Sequence, residues 1–230
     1  MNEVDYYGPA DDAIRQMNRD NLRAFSRLKL ADFDKLSVIQ KVLELYGMQR
    51  KKAKKKYLEI GLEAYMMALM MAGERTSERT ARNMAKQAIT EEWIDDLLNQ
   101  TDFVTLYRFN TETERKAQRL IEALALVADR STSRGMIGTP EEIRNGLIDQ
   151  ALKQWTKQLG QYAINVTDAA VMQALDDAGV EGVIWVTERD QRVCTDCHQL
   201  DGRWFKLDEI PAKPHWNCRC RVEPAEKPDE

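Results

Sequence analysis

Glycine and proline are scarce in this sequence: eleven glycines and six prolines occur among 230 residues, about 7% against a usual ~12%. This scarcity excludes a collagen-like or loop-dominated chain. The longest apolar run, residues 64–73, has ten members, far fewer than the ~20 that cross a bilayer. The first residues also lack the basic and then apolar layout of a secretory signal. We therefore expect a soluble protein without a membrane segment.

An excess of positive charge is also missing. The chain has 34 lysines and arginines against 38 acidic residues, a net charge of −4, which is not typical of a nucleic-acid-binding protein. One local exception is residues 50–56, with six positive charges among seven residues: Arg50, Lys51, Lys52, Lys54, Lys55 and Lys56. Two interpretations stay open, a solvated helix face or a patch that contacts phosphates or an acidic partner.

Helical periodicity dominates the first 175 residues, since apolar residues recur at spacings of three and four. Gly73 is suited to the position just after a helix, where the backbone often adopts the left-handed conformation. Residues 130–138 are small and polar and form the best linker candidate. Thr139, Pro140 and Glu142 then predict a helix start with a capping box. That helix is predicted to run through Leu175, with Gly160 as the candidate point for a break.

Extended structure is predicted after Gly179. Residues 182–187 are β-branched and aromatic, as in a strand, and residues 202–207 and 218–222 predict two more short strands. The fold class is therefore mainly α, α+β overall, with a multi-helix N-terminal body and a small C-terminal β module. We predict a helical body over 1–135, a long helical connector over 136–179, a Cys/His module over 180–223 and a frayed tail over 224–230.

Cysteine and histidine are absent from the first 193 residues, and all six of these residues then fall within 27 positions. They form a Cys-x-x-Cys pair followed by a His-x-x-Cys-x-Cys group. Zn²⁺ takes four such ligands in tetrahedral geometry, so the sequence predicts a structural zinc site. The candidate ligands are Cys194, Cys197, His215, Cys218 and Cys220, with His198 in the same window. The favoured set is Cys194, Cys197 and Cys220, completed by either His215 or Cys218.

A metal would stabilise this segment, because residues 180–222 are too few to bury a sufficient hydrophobic core without a metal or disulfide cross-link. Two disulfides, free thiols, or a thioredoxin-like redox pair are the alternatives. The sequence shows no export signal that favours disulfides, and the redox pair needs a strand-to-helix context that the residues before Cys197 do not predict. Thiolate-rich ligation favours a closed structural ion over a catalytic one. We therefore predict no catalytic residue and no enzyme activity.

The C-terminal pattern resembles the signature of the Mu F-like head morphogenesis family, the minor head proteins of tailed bacteriophages. The resemblance covers roughly residues 150–223, and the ending Pro-His-x-x-Cys-Arg-Cys at 214–220 is its most specific part. Trp216 stands where a proline is usual, and residues 162–167 lack the arginine and glutamate usual there. The residues that carry the resemblance are Ala169, Ala170, Ala174, Gly179, Val180, Trp185, Asp190, Arg192, Cys194, Cys197, Leu200, Asp201, Gly202, Phe205, Pro214, His215, Cys218, Arg219 and Cys220.

This resemblance implies a minor capsid protein, present in few copies in the virion head and in the host cytoplasm during assembly. It implies contacts with the phage portal protein and other head components, with packaged DNA as a further contact, and no small-molecule substrate. Two other functions are kept beside it: a zinc-dependent nuclease or toxin-type domain, and a zinc-binding nucleic-acid regulator. The nuclease needs more histidines or carboxylates on a catalytic metal than this window offers.

Overall fold

The computed structural model describes residues 5–26, 35–73, 77–99, 108–128, 138–188 and 193–228. Of these residues 74% are helical, and a small antiparallel sheet lies at the C-terminal end of the described chain, which confirms the predicted fold class. None of the helices it describes is long and apolar enough to cross a membrane. In chain order the elements are α1 (Gly8–Ser26), α2 (Lys35–Met71), α3 (Glu78–Ala88), α4 (Glu91–Asn99), α5 (Phe109–Ala128), α6 (Pro140–Asp177), β1 (Gly182–Val186), α7 (Thr195–Leu200), β2 (Trp204–Lys206) and β3 (Arg221–Pro224).

Local sequence signals set several helix ends. Gly73 follows α2 with a φ of 78°, the left-handed conformation that a residue without Cβ adopts most easily. The side chain of Ser77 accepts a hydrogen bond from the Thr80 amide at the start of α3. Thr139 and Glu142 form the predicted capping box at the start of α6. The predicted linker at 130–138 lies outside the described residues, apart from Gly138.

The predicted break near Gly160 is wrong, because α6 is one continuous helix of 38 residues. A glycine inside a helix costs about 1 kcal/mol relative to alanine. Gly160 is buried, and a Cβ added there would lie 3.7 Å from Ile14 of α1 and from Asn217. The helix packs closely against both neighbours at Gly160. This tertiary packing outweighs the low helix propensity of glycine and keeps the helix continuous.

The two long helices α2 and α6 pack against each other at the centre, and α1 and α5 cover them. An aromatic cluster fills the shared interior. The rings of Tyr46 and Trp155 meet edge to face with centroids 5.3 Å apart, and those of Phe109 and Tyr162 meet at 4.9 Å. Such pairs add about 0.5–1.5 kcal/mol each beyond their buried area. Through Trp155 and Tyr162, α6 belongs to the same hydrophobic core as the N-terminal helices.

The sheet has the order β2-β1-β3, and both pairings are antiparallel. Val183 lies opposite Phe205, and Trp185 lies opposite Val222. Gly182 is required where it stands, because an added Cβ would lie 2.2 Å from the Trp204 ring. Hydrogen bonding continues past β3, since the Ala225 amide donates to the Gly182 carbonyl at 3.0 Å.

Candidate metal centre

The Cys-x-x-Cys pair is placed by the start of α7. Cys194 is the N-cap residue of this helix, and its sulfur accepts a hydrogen bond from the Cys197 amide at 3.4 Å. This cap orients both side chains toward one point at the helix N-terminus. Cys197 is fully buried, whereas Cys194 is partly exposed. The pair therefore has one buried thiol, that of Cys197, and one partly exposed thiol, that of Cys194.

The second group of donors lies on the loop that leads into β3. Asn217 turns this loop with a φ of 55°, and its amide donates to Gln161 Oε1 of α6 at 2.5 Å. His215 Nδ1 lies 3.0 Å from the Trp216 carbonyl oxygen. Because a carbonyl only accepts, Nδ1 carries the proton and Nε2 presents its lone pair. The imidazole is therefore held in the tautomer that binds metal through Nε2.

The donor atoms form two overlapping groups. Within each group all donor atoms lie within 4.8 Å of one another, and the groups are Cys194, Cys197 and His215, and Cys197, Cys218 and Cys220. Cys197 Sγ lies 3.6 Å from Cys218 Sγ and 3.7 Å from His215 Nε2. Tetrahedral bonds of 2.3 Å to zinc imply sulfur separations of about 3.8 Å. These residues could therefore hold a metal ion, with Cys197 common to both groups.

The four cysteines are free in this structure. The 3.6 Å between the sulfurs of Cys197 and Cys218 far exceeds the ~2.05 Å of a disulfide bond. The Cys-x-x-Cys pair does lie at the start of a helix that follows β1, the strand-to-helix context that the sequence did not predict, and further donors lie beside it. A cavity of about 750 Å³ borders Cys197, His215 and Cys218. It gives an ion a path from solvent to the donors.

Electrostatics at the site favour deprotonation of one buried thiol. The pKa of Cys218 is lowered to about 5, chiefly by hydrogen bonds from Cys220 and also by the charge of Lys213. Burial raises the pKa of Cys197 to about 12. The pKa of His215 is raised, first by its hydrogen bond to the Trp216 carbonyl. Since a metal binds thiolates and neutral imidazole, its affinity here is expected to fall in acid.

All five predicted ligands are brought together by the fold, whereas His198 is exposed and belongs to neither donor group among the described residues. The structure places Cys220 with Cys218 rather than with Cys194 and His215. The predicted set of Cys194, Cys197 and Cys220 with His215 or Cys218 stays a prediction.

A buried polar anchor, which the sequence did not indicate, fixes this module to the helical body. Tyr7 Oη lies 2.7 Å from Asp168 Oδ1 of α6 and 2.9 Å from the Cys220 carbonyl oxygen. Lys213 Nζ pairs with Asp168 Oδ2 at 2.6 Å, and Arg219 pairs with Asp11 of α1. Burial raises the pKa of Asp168, although Lys213 and Tyr7 act against this rise. These contacts join residues up to 213 positions apart, a separation that periodicity and spacing do not reveal.

The basic run lies on α2, and half of its charges are neutralised there. Arg50 pairs with Glu114 at 3.6 Å, Lys56 pairs with Glu59 at 2.5 Å, and Lys54 pairs with Asp95. The other three side chains are exposed and have no ion-pair partner among the described residues: Lys51, Lys52 and Lys55. We call these three lysines the basic face. At helical spacing they project within roughly 100° of one another.

Comparison with known families supports the resemblance noted in the sequence. Residues 144–223, just over a third of the chain, match the family described as Phage Mu protein F like protein. The match runs from α6 to β3 and contains all five candidate ligands. No curated protein and no solved structure matches the chain. Over this segment the chain is similar to the Mu F-like phage head proteins, and the similarity suggests a phage head-related protein.

Proposed function

We propose that this protein is a minor head protein that acts in head morphogenesis beside the portal and the head interior. The observation that carries the proposal is the family match over residues 144–223, which coincides with the segment that gathers the five metal donors. The helical body, with α6 in its core, supplies rigid surfaces for other head components. The contacts of Asp168 with Tyr7 and Lys213 hold the C-terminal module against that body. The module therefore has a fixed position on the helices.

The module is held together by a structural Zn²⁺. Its four ligands come from the five candidates, which are four sulfurs and one imidazole nitrogen. Such soft donors favour zinc over magnesium or calcium. The sheet of this module has three strands of only three to five residues, and so small a module buries little core of its own. The ion joins α7 to the loop before β3. We propose no enzyme activity for this site, because thiolate-rich ligation favours a closed structural ion over a catalytic one.

A particle experiment tests the head assignment. In the phage that encodes this chain, a nonsense mutation in the gene is complemented from a plasmid, and purified heads are analysed by mass spectrometry and electron microscopy. We expect the protein in wild-type particles at low copy number, and defective heads without complementation. Co-purification with the portal protein from a co-expression strain tests the proposed contact. A chain absent from complemented particles would contradict the proposal.

The basic face provides a sequence-independent contact to packaged double-stranded DNA. Each phosphate that a lysine neutralises contributes about −0.9 to the slope of log K against log salt concentration. The triple variant Lys51→Ala/Lys52→Ala/Lys55→Ala is therefore expected to reduce the magnitude of that slope by about 3. Fluorescence anisotropy with a labelled duplex at several salt concentrations measures it.

A charge-matched variant controls for the loss of three positive charges. It carries three alanine substitutions at exposed lysines on other elements: Lys86, Lys153 and Lys206. We expect this variant to keep most of the wild-type slope. Equal slopes in both triple variants would mean that net charge, and not the basic face, governs duplex binding.

A further inference from the structure

A second cleft lies between α5, α6 and the metal-binding loop, apart from the donor atoms. Its volume is about 340 Å³, within the roughly 300–1,000 Å³ of small-molecule sites. Lys116, Lys157, Gln158 and Trp216 line it, together with the carboxylate of Glu112. Neither the metal site nor the basic face uses this set of side chains.

Gln158 is the unusual member of the set. Its side chain is only 3% exposed, and neither Oε1 nor Nε2 has a hydrogen-bond partner among the described residues. A buried polar group without a partner costs about 1–3 kcal/mol, and here one amide leaves both a donor and an acceptor unpaired. Such a group in the lining of a cleft points to a ligand that supplies both missing partners.

Trp216 provides an aromatic surface at the same cleft. Its side chain is 43% exposed, which is unusual for the largest apolar residue type. The backbone on either side is tethered: the Trp216 carbonyl contacts His215 Nδ1, and the Asn217 amide donates to Gln161. The indole is therefore presented from a fixed loop at little entropic cost to binding.

The cleft also favours an anion. Lys116 and Lys157 are in no salt bridge among the described residues. The carboxylate of Glu112 pairs with Arg115 at 2.8 Å, and its charge also acts on Lys116. Burial lowers the pKa of Lys116, which means that its charged form lacks solvation that an anion would replace. An aromatic face, an unpaired amide and two ammonium groups outside any salt bridge thus meet in one place.

We infer that this cleft binds an unpaired nucleotide of single-stranded nucleic acid. The base stacks on Trp216, its hydrogen-bonding edge pairs with the Gln158 amide, and Lys116 and Lys157 contact the phosphates. Stacking on an exposed aromatic ring and lysine contacts to the backbone are the general means of binding single strands. Bases in a duplex are stacked and cannot enter such a cleft. The site is distinct from the proposed duplex contact of the basic face and is tested separately from it.

The experiment uses the full chain and a fluorescein-labelled single strand of about 15 nucleotides, within the span that one binding domain covers. Its duplex form is the comparison. We expect tighter binding of the single strand, and roughly tenfold weaker binding for Trp216→Ala and for Lys116→Ala/Lys157→Ala. Met70→Ala, an exposed apolar residue outside the cleft, and Lys153→Ala on the same helix as Lys157 are the matched controls and are expected to bind normally.

Gln158→Met separates a binding role from a structural one. Methionine has a similar shape but no unpaired polar atoms, so this variant is expected to unfold at a higher temperature than the wild type and yet bind the single strand more weakly. Zinc content should stay unchanged in every cleft variant. Equal affinity of Trp216→Ala and wild type, tighter binding of the duplex, or no binding of the oligonucleotide would each overturn the inference. None of these results would alter the outcome of the particle experiment.

Discussion

Replacing Cys197 with serine is expected to weaken zinc binding by roughly 100-fold or more and to unfold the C-terminal module. Cys197 is fully buried, and its sulfur belongs to both donor groups, so no set of three donors from either group survives its loss. Changes to residues that only support a metal ligand cost 10–100-fold in affinity, and removal of the shared ligand is expected to cost roughly 100-fold or more. Structural zinc contributes an apparent free energy of about 10–16 kcal/mol in zinc-finger peptides, so its loss is expected to destabilise this module strongly.

Elemental analysis of the purified protein measures the zinc, and hydrogen exchange of residues 182–228 measures the order of the module. His198→Ala is the matched control, because His198 is one residue from Cys197 on the same helix but is exposed and outside both donor groups. It should keep its zinc. A strong chelator applied to the wild-type protein should raise exchange in the same residues, and added zinc should reverse this. A metal-free wild-type protein with a well-protected module would contradict the zinc proposal.

Lys213→Met is expected to destabilise the protein by about 3 kcal/mol, since loss of one partner of a buried ion pair typically costs 3–5 kcal/mol. The side chains of Lys213 and Asp168 are 16% and 17% exposed, so water cannot fully replace the lost ammonium group. Urea unfolding followed by circular dichroism measures the change. Lys206→Met removes an ion pair whose side chains are 58% and 68% exposed, and such surface pairs contribute about 0–1 kcal/mol.

The destabilisation should shrink in acid. Burial raises the pKa of Asp168 above the usual aspartate value of 3.8, and loss of the Lys213 charge raises it further. An acid whose pKa is raised by folding binds its proton more tightly in the native state, so its contribution to stability falls as pH rises through that window. Lowering the pH toward 4 therefore restores part of the stability of Lys213→Met. A double variant with Asp168→Leu should also recover stability, because an apolar pair avoids the uncompensated charge. An equal loss of stability in Lys213→Met at every pH would mean that Asp168 is not the group left unpaired.

Local chemistry explains which features could be predicted from the sequence. The capping box at Thr139, the end of α2 at Gly73 and the strand at β1 depend on a few neighbouring residues, and all three are found where the pattern puts them. The metal donors could be predicted because cysteine and histidine occur only in one short window. Zinc itself stays a prediction, since several metals accept sulfur and nitrogen ligands.

Long-range packing explains what could not be predicted. Gly160 weakens a helix locally, but contacts with Ile14 and Asn217, far apart in the sequence, keep α6 continuous. The sequence gives no sign that the six basic residues of the run 50–56 differ in their surroundings. In the structure, Glu114 and Asp95 of other helices neutralise two of them, Arg50 and Lys54. The polar groups around Asp168 come from three distant segments, and no spacing rule connects them. Gln158 has the sequence context of an ordinary helix residue, and only its burial without a partner distinguishes it.

The position of Tyr7 has a consequence for biosynthesis. Its hydroxyl contacts Asp168 and the backbone of Cys220, which are 161 and 213 residues further along the chain. Because a ribosome releases the chain from its N-terminus, at about 5–20 residues per second, Tyr7 lacks its contact with Cys220 until the 213 following residues have emerged. Docking of Tyr7 against the C-terminal module is therefore a late step. A nascent chain that stalls before Lys213 leaves the Asp168 carboxylate without its ammonium partner.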